Sequence, residues 1–272
     1  MKLKGYMDEG ITRVFKRQQD KTSLGTKFVG KKIYAYDLVT STNDLAHFLA
    51  HNNEPEGSVI FAKGQTQGKG RLGKSWVSPY GKGLYFSFIL RPDMPVERAS
   101  RVTLTMALAV ATALTEMHVE DVRIKWPNDV LLGEKKVCGI LTELSLLEDR
   151  VNYIVVGVGL NVNMAKGDLP KDAISLKEAM TREFDIADLS HIIIKKIDHF
   201  YALLLQHRFM DIIQKVKEYS GLILGGRVRV SWEDREVEGY AVDFDENGSL
   251  IIRRDNGFIE KVSSGHLTKQ EP

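Results

Sequence analysis

Residues 58–90 read SVIFAKGQTQGKGRLGKSWVSPYGKGLYFSFIL, and this stretch decides between two kinds of fold. Its segment GKGRLGKS, residues 68–75, satisfies both the GxxxxGK[ST] and the GxGxxG patterns of phosphate-binding loops. Both patterns need a helix directly after the loop, but Pro79 and Gly81 stand where its first turns would be. The β-branched and aromatic residues on either side instead predict a strand, a loop and a second strand. We therefore set aside the P-loop and Rossmann folds.

The loop itself has an unusual composition. Residues 63–74 hold four glycines, four basic residues and no acidic residue. Glycine permits close approach of the backbone, and Lys69, Arg71 and Lys74 supply donors for a phosphate or a carboxylate. The loop therefore predicts a site for a small anion. A flexible, solvated surface loop is the alternative that this composition leaves open.

The whole chain gives no sign of a highly charged or membrane-spanning protein. Its 272 residues include 38 basic and 36 acidic residues. Because these charges nearly balance, the net charge does not favour a nucleic-acid or membrane partner. The single cysteine, Cys138, excludes an internal disulfide and fits a reducing cytosol. The longest apolar run, residues 102–115, is shorter than the ~20 residues that cross a bilayer. Since the first residues also lack the apolar centre of a secretory signal, we expect a cytoplasmic protein.

The order of predicted elements indicates an α+β fold. Residues 32–39 predict a strand, and Ser41 or Thr42 is a good N-cap for the short helix that follows. The later elements are a helix over residues 99–118, strands over residues 121–163, and an amphipathic helix over residues 188–209 that we expect to pack on the sheet.

The end of the chain predicts a small β-barrel. After Gly225-Gly226, polar and apolar residues alternate over four short strands. Two of the junctions are Asn247-Gly248 and Asn256-Gly257, which are strong hairpin signals. We therefore expect three parts: an N-terminal arm (residues 1–30) that is too short for its own core, a catalytic domain (residues 31–222) and the barrel (residues 223–272).

Three further motifs carry chemistry. Residues 125–129, KWPND, place an aromatic face and Asn128 at a strand end, although a plain turn with the tryptophan in the core explains the same letters. Lys136 follows a hairpin connection, where most lysines are exposed. Residues 157–161, GVGLN, put two glycines inside a strand, which indicates that another backbone or a ligand comes close and that Asn161 points into that space. A simple bulge is the alternative.

Together these motifs resemble those of the biotin–protein ligases, a family that activates biotin with ATP and attaches it to a lysine of a carrier domain. The resemblance runs from about residue 30 to the C-terminus. It rests on five segments in the family's order: residues 41–43 (STN), 65–76 (QTQGKGRLGKSW), 125–129 (KWPND), 136–141 (KVCGIL) and 157–161 (GVGLN). It implies a mixed β-sheet catalytic domain with packed helices, like that of class II synthetase-like biotin and lipoate ligases. The C-terminal barrel should then resemble Src-homology-3 domains.

The resemblance also implies roles for individual residues. The neutral ureido ring of biotin needs fixed polar partners, and the implied biotin-binding residues are Ser41, Thr42, Asn43, Gln65, Gly68, Lys69, Gly70, Arg71 and Lys136. The implied ATP- or adenylate-binding residues are Arg71, Trp76, Lys125, Asn128 and Asn161. Lys136 and Arg71 are the implied catalytic residues. Mg²⁺ is expected on the ATP polyphosphate, with no metal site made by the protein alone.

One position departs from the family pattern. The loop usually reads Gly-Arg-Gly-Arg, whereas Lys69 stands at its second position here. Lysine keeps the charge but loses the bidentate fork of arginine. The change is harmless if this position acts through its backbone N–H, and affects affinity if it acts through its side chain.

The expected partner is the biotin carboxyl carrier domain of a biotin-dependent carboxylase. Alternatives are a lipoate or octanoate ligase or transferase, a bifunctional ligase and repressor, and a barrel that serves protein interaction unrelated to catalysis. The short arm, whose densest basic cluster is Arg13, Lys16 and Arg17, favours a monofunctional form with no nucleic-acid partner. The resemblance also makes a homodimer possible, because members of this family often dimerise through the sheet, but the sequence assigns no interface and does not determine the oligomeric state.

Overall fold

A computed structural model describes residues 24–221, 223–232 and 234–269. The basic cluster at Arg13, Lys16 and Arg17 lies outside these residues. The larger part of the protein is a seven-stranded sheet with the order β1-β2-β3-β7-β6-β5-β4. Its strands are β1 (Lys32–Val39), β2 (Ser58–Gln65), β3 (Gly83–Leu90), β4 (Val122–Lys125), β5 (Asp129–Leu132), β6 (Lys135–Leu147) and β7 (Arg150–Asn161).

The sheet is mixed, as predicted. β1 and β2 are parallel, and every other neighbouring pair is antiparallel. β2 leads into the glycine-rich loop, which contains only a short 3-10 turn at Arg71–Gly73 before the chain returns as β3. No helix opens after the loop in this part of the chain, which confirms the rejection of the P-loop and Rossmann folds.

Five helices accompany this sheet in the described chain. They are α1 (Thr42–His51), α2 (Ser100–Glu116), α3 (Leu176–Met180), α4 (Ile186–Leu205) and α5 (Phe209–Tyr219). The long amphipathic helix expected over residues 188–209 is present as α4, but it differs from the expectation in two respects. His207 adopts a positive φ of 61°, so the helix ends and α5 begins separately. α4 also packs chiefly on α2 rather than on the sheet.

The C-terminal part is a second, antiparallel sheet with the order β11-β10-β9-β8-β12. Its strands are β8 (Arg227–Trp232), β9 (Arg235–Phe244), β10 (Leu250–Arg253), β11 (Ile259–Val262) and β12 (His266–Lys269). Four of these were predicted, and β12 was not. Gly248 and Gly257 have φ values of 81° and 83°, as the predicted Asn-Gly turns require.

The two sheets belong to one continuous core. Val228 and Leu250 of the second sheet join the same buried cluster as α2 and the strands of the first sheet. Trp126 is 2% exposed, and its Nε1 donates to the backbone oxygen of Gly248 at 3.0 Å. Trp126 is therefore a core residue, as the plainer interpretation of KWPND predicted for this tryptophan.

The described end of the predicted arm packs on the catalytic domain. The carboxylate of Asp198 on α4 accepts backbone N–H groups from Lys27 (2.7 Å), Phe28 (2.6 Å) and Val29 (2.8 Å). Val29 is fully buried. Residues 24–30 thus share the core of the larger part. In the described residues, no helix is long and apolar enough to span a membrane.

Candidate functional site

A cavity of about 350 Å³ opens where the glycine-rich loop, the start of α1 and the ends of β4 to β7 meet the start of β12. All the predicted site residues line it except Gly68. Those that line it are Ser41, Thr42, Asn43, Gln65, Lys69, Gly70, Arg71, Trp76, Lys125, Asn128, Lys136 and Asn161. The fold therefore brings together residues from five separate segments of the chain.

Gly68 lies behind the residues that line the cavity, and it determines the shape of the glycine-rich loop. Its backbone oxygen accepts the N–H of Trp76 at 2.8 Å. A Cβ on Gly68 would stand 2.5 Å from the Trp76 carbonyl oxygen and 2.7 Å from the hydroxyl of Ser78. Only glycine lets the two sides of the loop approach this closely.

One wall of the cavity is neutral and polar. Gln65 Oε1 accepts the backbone N–H of Thr42 at 2.8 Å and its hydroxyl at 3.1 Å, while Gln65 Nε2 donates to Ser78 at 2.9 Å. Ser41 occupies the N-cap position of α1, but its side chain makes no capping hydrogen bond. Ser41 is therefore the N-cap residue, as predicted, but Gln65 rather than a capping hydroxyl accepts the first N–H of the helix.

Asn43 continues this wall from the first turn of α1. Its Oδ1 accepts the hydroxyl of Ser87 at 2.6 Å, and its Nδ2 donates to Glu143 Oε2 at 2.6 Å. The side chain lies directly over Gly157, where a Cβ would stand 2.1 Å from Asn43 Oδ1. His47, at 3.6 Å, and Asn43 hold the pKa of Glu143 below its usual value.

The opposite wall is cationic and aromatic. Lys136 Nζ lies 2.6 Å from Asp129 Oδ1 and 5.2 Å from the centre of the Trp76 ring. That ring covers Gly139 and Gly159, which face each other on β6 and β7; added Cβ atoms would stand 3.1 Å and 2.5 Å from it. The indole N–H of Trp76 is buried and has no hydrogen-bond partner among the described residues.

The glycines of GVGLN are thus covered by side chains. Asn43 fills the space over Gly157, and Trp76 fills the space over Gly159. The β6–β7 register is regular through both positions and shifts only between Ser145 and Leu146. The alternative of a simple bulge is therefore wrong, and the expected close approach is made by side chains rather than by another backbone.

Arg71 connects the loop to two other elements. Its Nη1 donates to Asn128 Oδ1 at 2.8 Å and to the backbone oxygen of Gly265 at 3.2 Å. Burial lowers the pKa of its guanidinium. Asn128 in turn donates to the oxygen of Ile140 at 3.0 Å. The side chain of Arg71 therefore connects the glycine-rich loop to both the KWPND turn and the second sheet.

Two predicted residues make contacts that the sequence did not suggest. Lys69 forms an ion pair with Asp44 of α1 at the cavity rim. Asn161 Nδ2 donates to the backbone oxygens of Ile174 at 3.2 Å and Lys136 at 3.4 Å. Asn161 thus ties β6 to the segment before α3, while it also lines the cavity.

The second sheet contributes residues that sequence reasoning missed. Gly265 and His266, at the start of β12, line the cavity, whereas Lys269 does not. Burial, together with Lys74 and Lys125, holds the pKa of His266 below its usual value. Residues 265–269 (GHLTK) resemble the final basic motif of the biotin–protein ligases only loosely, so the sequence assigned no contact to Lys269 or its neighbours.

The charges of the cavity favour an anion. Its lining includes five basic side chains, Lys69, Arg71, Lys74, Lys125 and Lys136, against three acidic ones, Asp129, Glu134 and Asp172. Within the described residues there is no group of three or more His, Cys, Asp or Glu side chains that could hold a metal ion. The site therefore joins a neutral hydrogen-bonding wall to a cationic wall.

Comparison with known proteins agrees with this geometry. Residues 35–161 match the Biotin/lipoate A/B protein ligase family, and residues 223–266 match the Biotin protein ligase C terminal domain. The chain is 35% identical over 248 residues to the Bifunctional ligase/repressor BirA of Bacillus subtilis, covering 90% of this chain and 76% of that protein. It is 31% identical over 220 residues to the Biotin–[acetyl-CoA-carboxylase] ligase of Mycobacterium tuberculosis, covering 78% of this chain and 79% of that protein.

A solved structure extends the agreement to the fold. The biotin protein ligase from Aquifex aeolicus in complex with biotin and ATP superposes with a TM-score of 0.75 at 31% identity, covering 89% of this chain and 100% of that one. The match includes both the mixed sheet and the C-terminal sheet, which confirms the predicted fold class. The chain belongs to the biotin protein ligase family and is a ligase.

Proposed function

We propose that this enzyme activates biotin with ATP to form biotinyl-5′-adenylate and then transfers the biotinyl group to a lysine of a carrier domain of a biotin-dependent carboxylase. The observation that carries the proposal is the cavity itself, in which a neutral hydrogen-bonding wall meets a cationic wall. Biotin has a neutral ring at one end and a carboxylate at the other. Its two ends need these two environments.

The activation step has to bring two anions together. A carboxylate oxygen of biotin attacks the α-phosphorus of ATP, the bond to the β-phosphate oxygen breaks, and diphosphate leaves with the electron pair. Cationic groups aimed at the developing charge lower this barrier. We assign that role to Lys136 and Arg71, which lie on the cationic wall. Asp129 holds the Lys136 ammonium at 2.6 Å, which fixes its position before the substrates arrive.

We place the ureido ring of biotin against the neutral wall. Thr42 is hydrogen-bonded directly to Gln65 and is linked to Asn43 through Ser87, and these three residues line the cavity. A neutral ring gains orientation from fixed donors and acceptors without the desolvation cost of a charge. Ser41, which is 1% exposed, completes this wall.

We place the nucleotide on the opposite side, among Trp76, Lys125, Asn128 and Asn161. Trp76 offers the aromatic surface that a base can stack on. Arg71, through Asn128 and Gly265, holds the glycine-rich loop close to the same space. A closed loop also excludes water from the adenylate, a mixed anhydride that water would destroy.

The transfer step needs no nucleophile from the enzyme. The amine of the carrier lysine attacks the acyl carbon of the adenylate, the acyl–oxygen bond breaks, and AMP leaves. The enzyme's cysteine does not compete, because Cys138 is fully buried and burial raises the pKa of its thiol. The thiolate that would be reactive is therefore disfavoured.

Magnesium fits this site as a companion of ATP. Mg²⁺ is usually bound through one or two carboxylates together with substrate phosphates. Asp129 is a carboxylate of the cavity lining, and it is paired with Lys136. We therefore assign Mg²⁺ to the polyphosphate, where it would neutralise the leaving diphosphate.

The test is made with purified protein, biotin, ATP and a carrier domain. Mass spectrometry should show the carrier gaining one biotinyl group, and diphosphate release should require biotin. Lys136→Ala should abolish diphosphate release while the melting temperature stays near that of the wild type. Lys135→Ala is the matched control, because Lys135 is exposed and does not line the cavity. Normal diphosphate release by Lys136→Ala would refute the assignment.

The same purified protein also tests two alternative functions, a lipoate ligase and a DNA-binding repressor. Lipoate in place of biotin should give neither a thermal shift nor diphosphate release in the presence of ATP; a response to lipoate alone would favour a lipoate ligase. We also expect no nucleic-acid partner. Salt-dependent, sequence-specific binding of a DNA duplex would overturn that expectation.

A further inference from the structure

Glu143 lies on β6, outside the cavity lining, yet it contacts a residue of that lining. We propose that Glu143 is a positioning residue, which fixes the orientation of the Asn43 amide and through it the pattern of donors and acceptors that faces biotin. The proposal rests on the proposed function, because it takes the neutral wall as the biotin side of the cavity.

The first step of the argument is the direction of one hydrogen bond. An ionised carboxylate only accepts hydrogen bonds. Asn43 must therefore turn its NH₂ group toward Glu143, at 2.6 Å, and its carbonyl oxygen toward the hydroxyl of Ser87, also at 2.6 Å. Contact with His47 keeps Glu143 in the ionised form that this argument needs, because it holds the pKa of the carboxyl below its usual value.

The second step extends the direction of this hydrogen bond from Asn43 to Ser87 and Thr42. A serine hydroxyl has one proton, and Asn43 Oδ1 can only accept it. The oxygen of Ser87, which lies 2.7 Å from the hydroxyl of Thr42, is then left as an acceptor, so the one proton of the Thr42 hydroxyl is shared between Ser87 and Gln65 Oε1, which is 3.1 Å away. The backbone N–H of Thr42 still donates to Gln65 at 2.8 Å. The orientation of the Asn43 amide and the acceptors around the Thr42 hydroxyl therefore depend on one carboxylate outside the cavity, while the backbone of Thr42 fixes Gln65.

The third step is that nothing else in the surroundings fixes the Asn43 amide equally well. A serine hydroxyl can donate or accept, so Ser87 would satisfy either orientation of the amide. Gly157, below the amide, provides space but no polar side chain. Among these contacts, Glu143 alone distinguishes the NH₂ group from the oxygen of Asn43. Removing its charge should therefore affect the biotin side without disturbing the cationic wall.

The test is Glu143→Gln, which keeps the shape of the side chain but can donate as well as accept. We expect the KM for biotin to rise about tenfold, as for the loss of a hydrogen bond to a charged group. The KM for ATP and kcat should change less than about twofold, because Lys136 and Arg71 are untouched. Glu148→Gln is the matched control, since Glu148 is an exposed residue of the β6–β7 turn.

A double replacement tests the donor–acceptor logic itself. Asn43→Asp alone would place two carboxylates in contact and should lower the melting temperature. Asn43→Asp combined with Glu143→Gln restores a donor opposite an acceptor, so the double variant should melt above Asn43→Asp. A melting temperature for the double variant at or below that of Asn43→Asp would contradict the proposed pairing.

The outcomes separate this proposal from the proposed function. If the wild type releases diphosphate with biotin and Glu143→Gln leaves the KM for biotin unchanged, the positioning role alone is refuted. Equal losses in both KM values and in kcat would also refute it, because they indicate general damage to the structure. If the wild type releases no diphosphate with biotin, the proposed function fails first.

Discussion

Gly157 and Gly159 allow a direct test of how the cavity is divided. Both face the same side of β7, and each is covered by a side chain from a different wall. A Cβ at position 157 would stand 2.1 Å from Asn43 Oδ1, and a Cβ at position 159 would stand 2.5 Å from the Trp76 ring. Ordinary van der Waals contact begins at 3.4 Å. Replacing either glycine with alanine therefore forces its neighbour to move.

The size of the effect follows from what can and cannot move. β7 is hydrogen-bonded to β3 on one side and to β6 on the other, so its backbone is held in place. The side chain of Asn43 or Trp76 must shift instead, and overpacking of this kind costs about 1–3 kcal/mol. If that cost falls on the bound state, affinity drops by about 5-fold to about 140-fold. Gly157→Ala should raise the KM for biotin, and Gly159→Ala should raise the KM for ATP.

Diphosphate release measures both constants. Biotin is titrated at saturating ATP, and ATP is then titrated at saturating biotin. Gly167→Ala serves as the control, because a Cβ there would meet nothing within 4 Å. If both variants raise the same KM, or if Gly159→Ala affects biotin and spares ATP, the assignment of the two walls is wrong.

Three further predictions follow from single contacts. Asp198→Asn should lower the melting temperature by several degrees, because the amide turns a donor toward one of three backbone N–H groups. Calorimetry measures this loss, and kinetic assays should find both KM values unchanged; a change in either KM would contradict a purely structural role for Asp198. Cys138 should react with a thiol reagent at pH 8 only after unfolding, since burial raises its pKa, and reaction of the folded enzyme would contradict that burial. Arg71→Lys should lower kcat/KM at least tenfold, because Nη1 alone donates to both Asn128 and Gly265, and a single ammonium cannot keep these two bonds and also offer the further N–H groups of a guanidinium to a substrate; unchanged kinetics would exclude a role for the guanidinium.

The fold was largely predictable where the local pattern matches the final structure. β2 and β3 carry β-branched and aromatic residues, so the strand–loop–strand unit could be predicted without tertiary information. β12 could not, because Leu267 is its one buried side chain and a single buried residue makes no period. α5 was missed because helical spacing continues past His207, whereas the backbone there turns to a positive φ.

The sequence predicted most of the residues that line the cavity together, but not the contacts between them. Glu143 and Asn43 are 100 positions apart, and no local pattern relates them. The sequence did contain one unused signal, which is Ser87. It is a lone small polar residue in a strand whose every residue is buried, and a buried hydroxyl needs a partner. That requirement pointed to a polar group packed against β3, which the structure identifies as Thr42 and Asn43.

Residues of β7 alternate between a face that lines the cavity and a face that packs in the hydrophobic core. Successive residues of a strand point to opposite faces, so the two glycines face the cavity while Val156 and Val158 join the main hydrophobic cluster. If the register of β7 slipped by one residue, valines would lie against Asn43 and Trp76 and glycines would lie in the core. The cavity would then be filled, and the core would lose its packing. The pairing of Gly157 with Ser87 therefore serves stability and binding alike. Because the glycine positions lie about 7 Å apart along the strand, they also set the distance between the two walls. The strand register thus determines which part of a substrate meets hydrogen-bonding groups and which part meets positive charge.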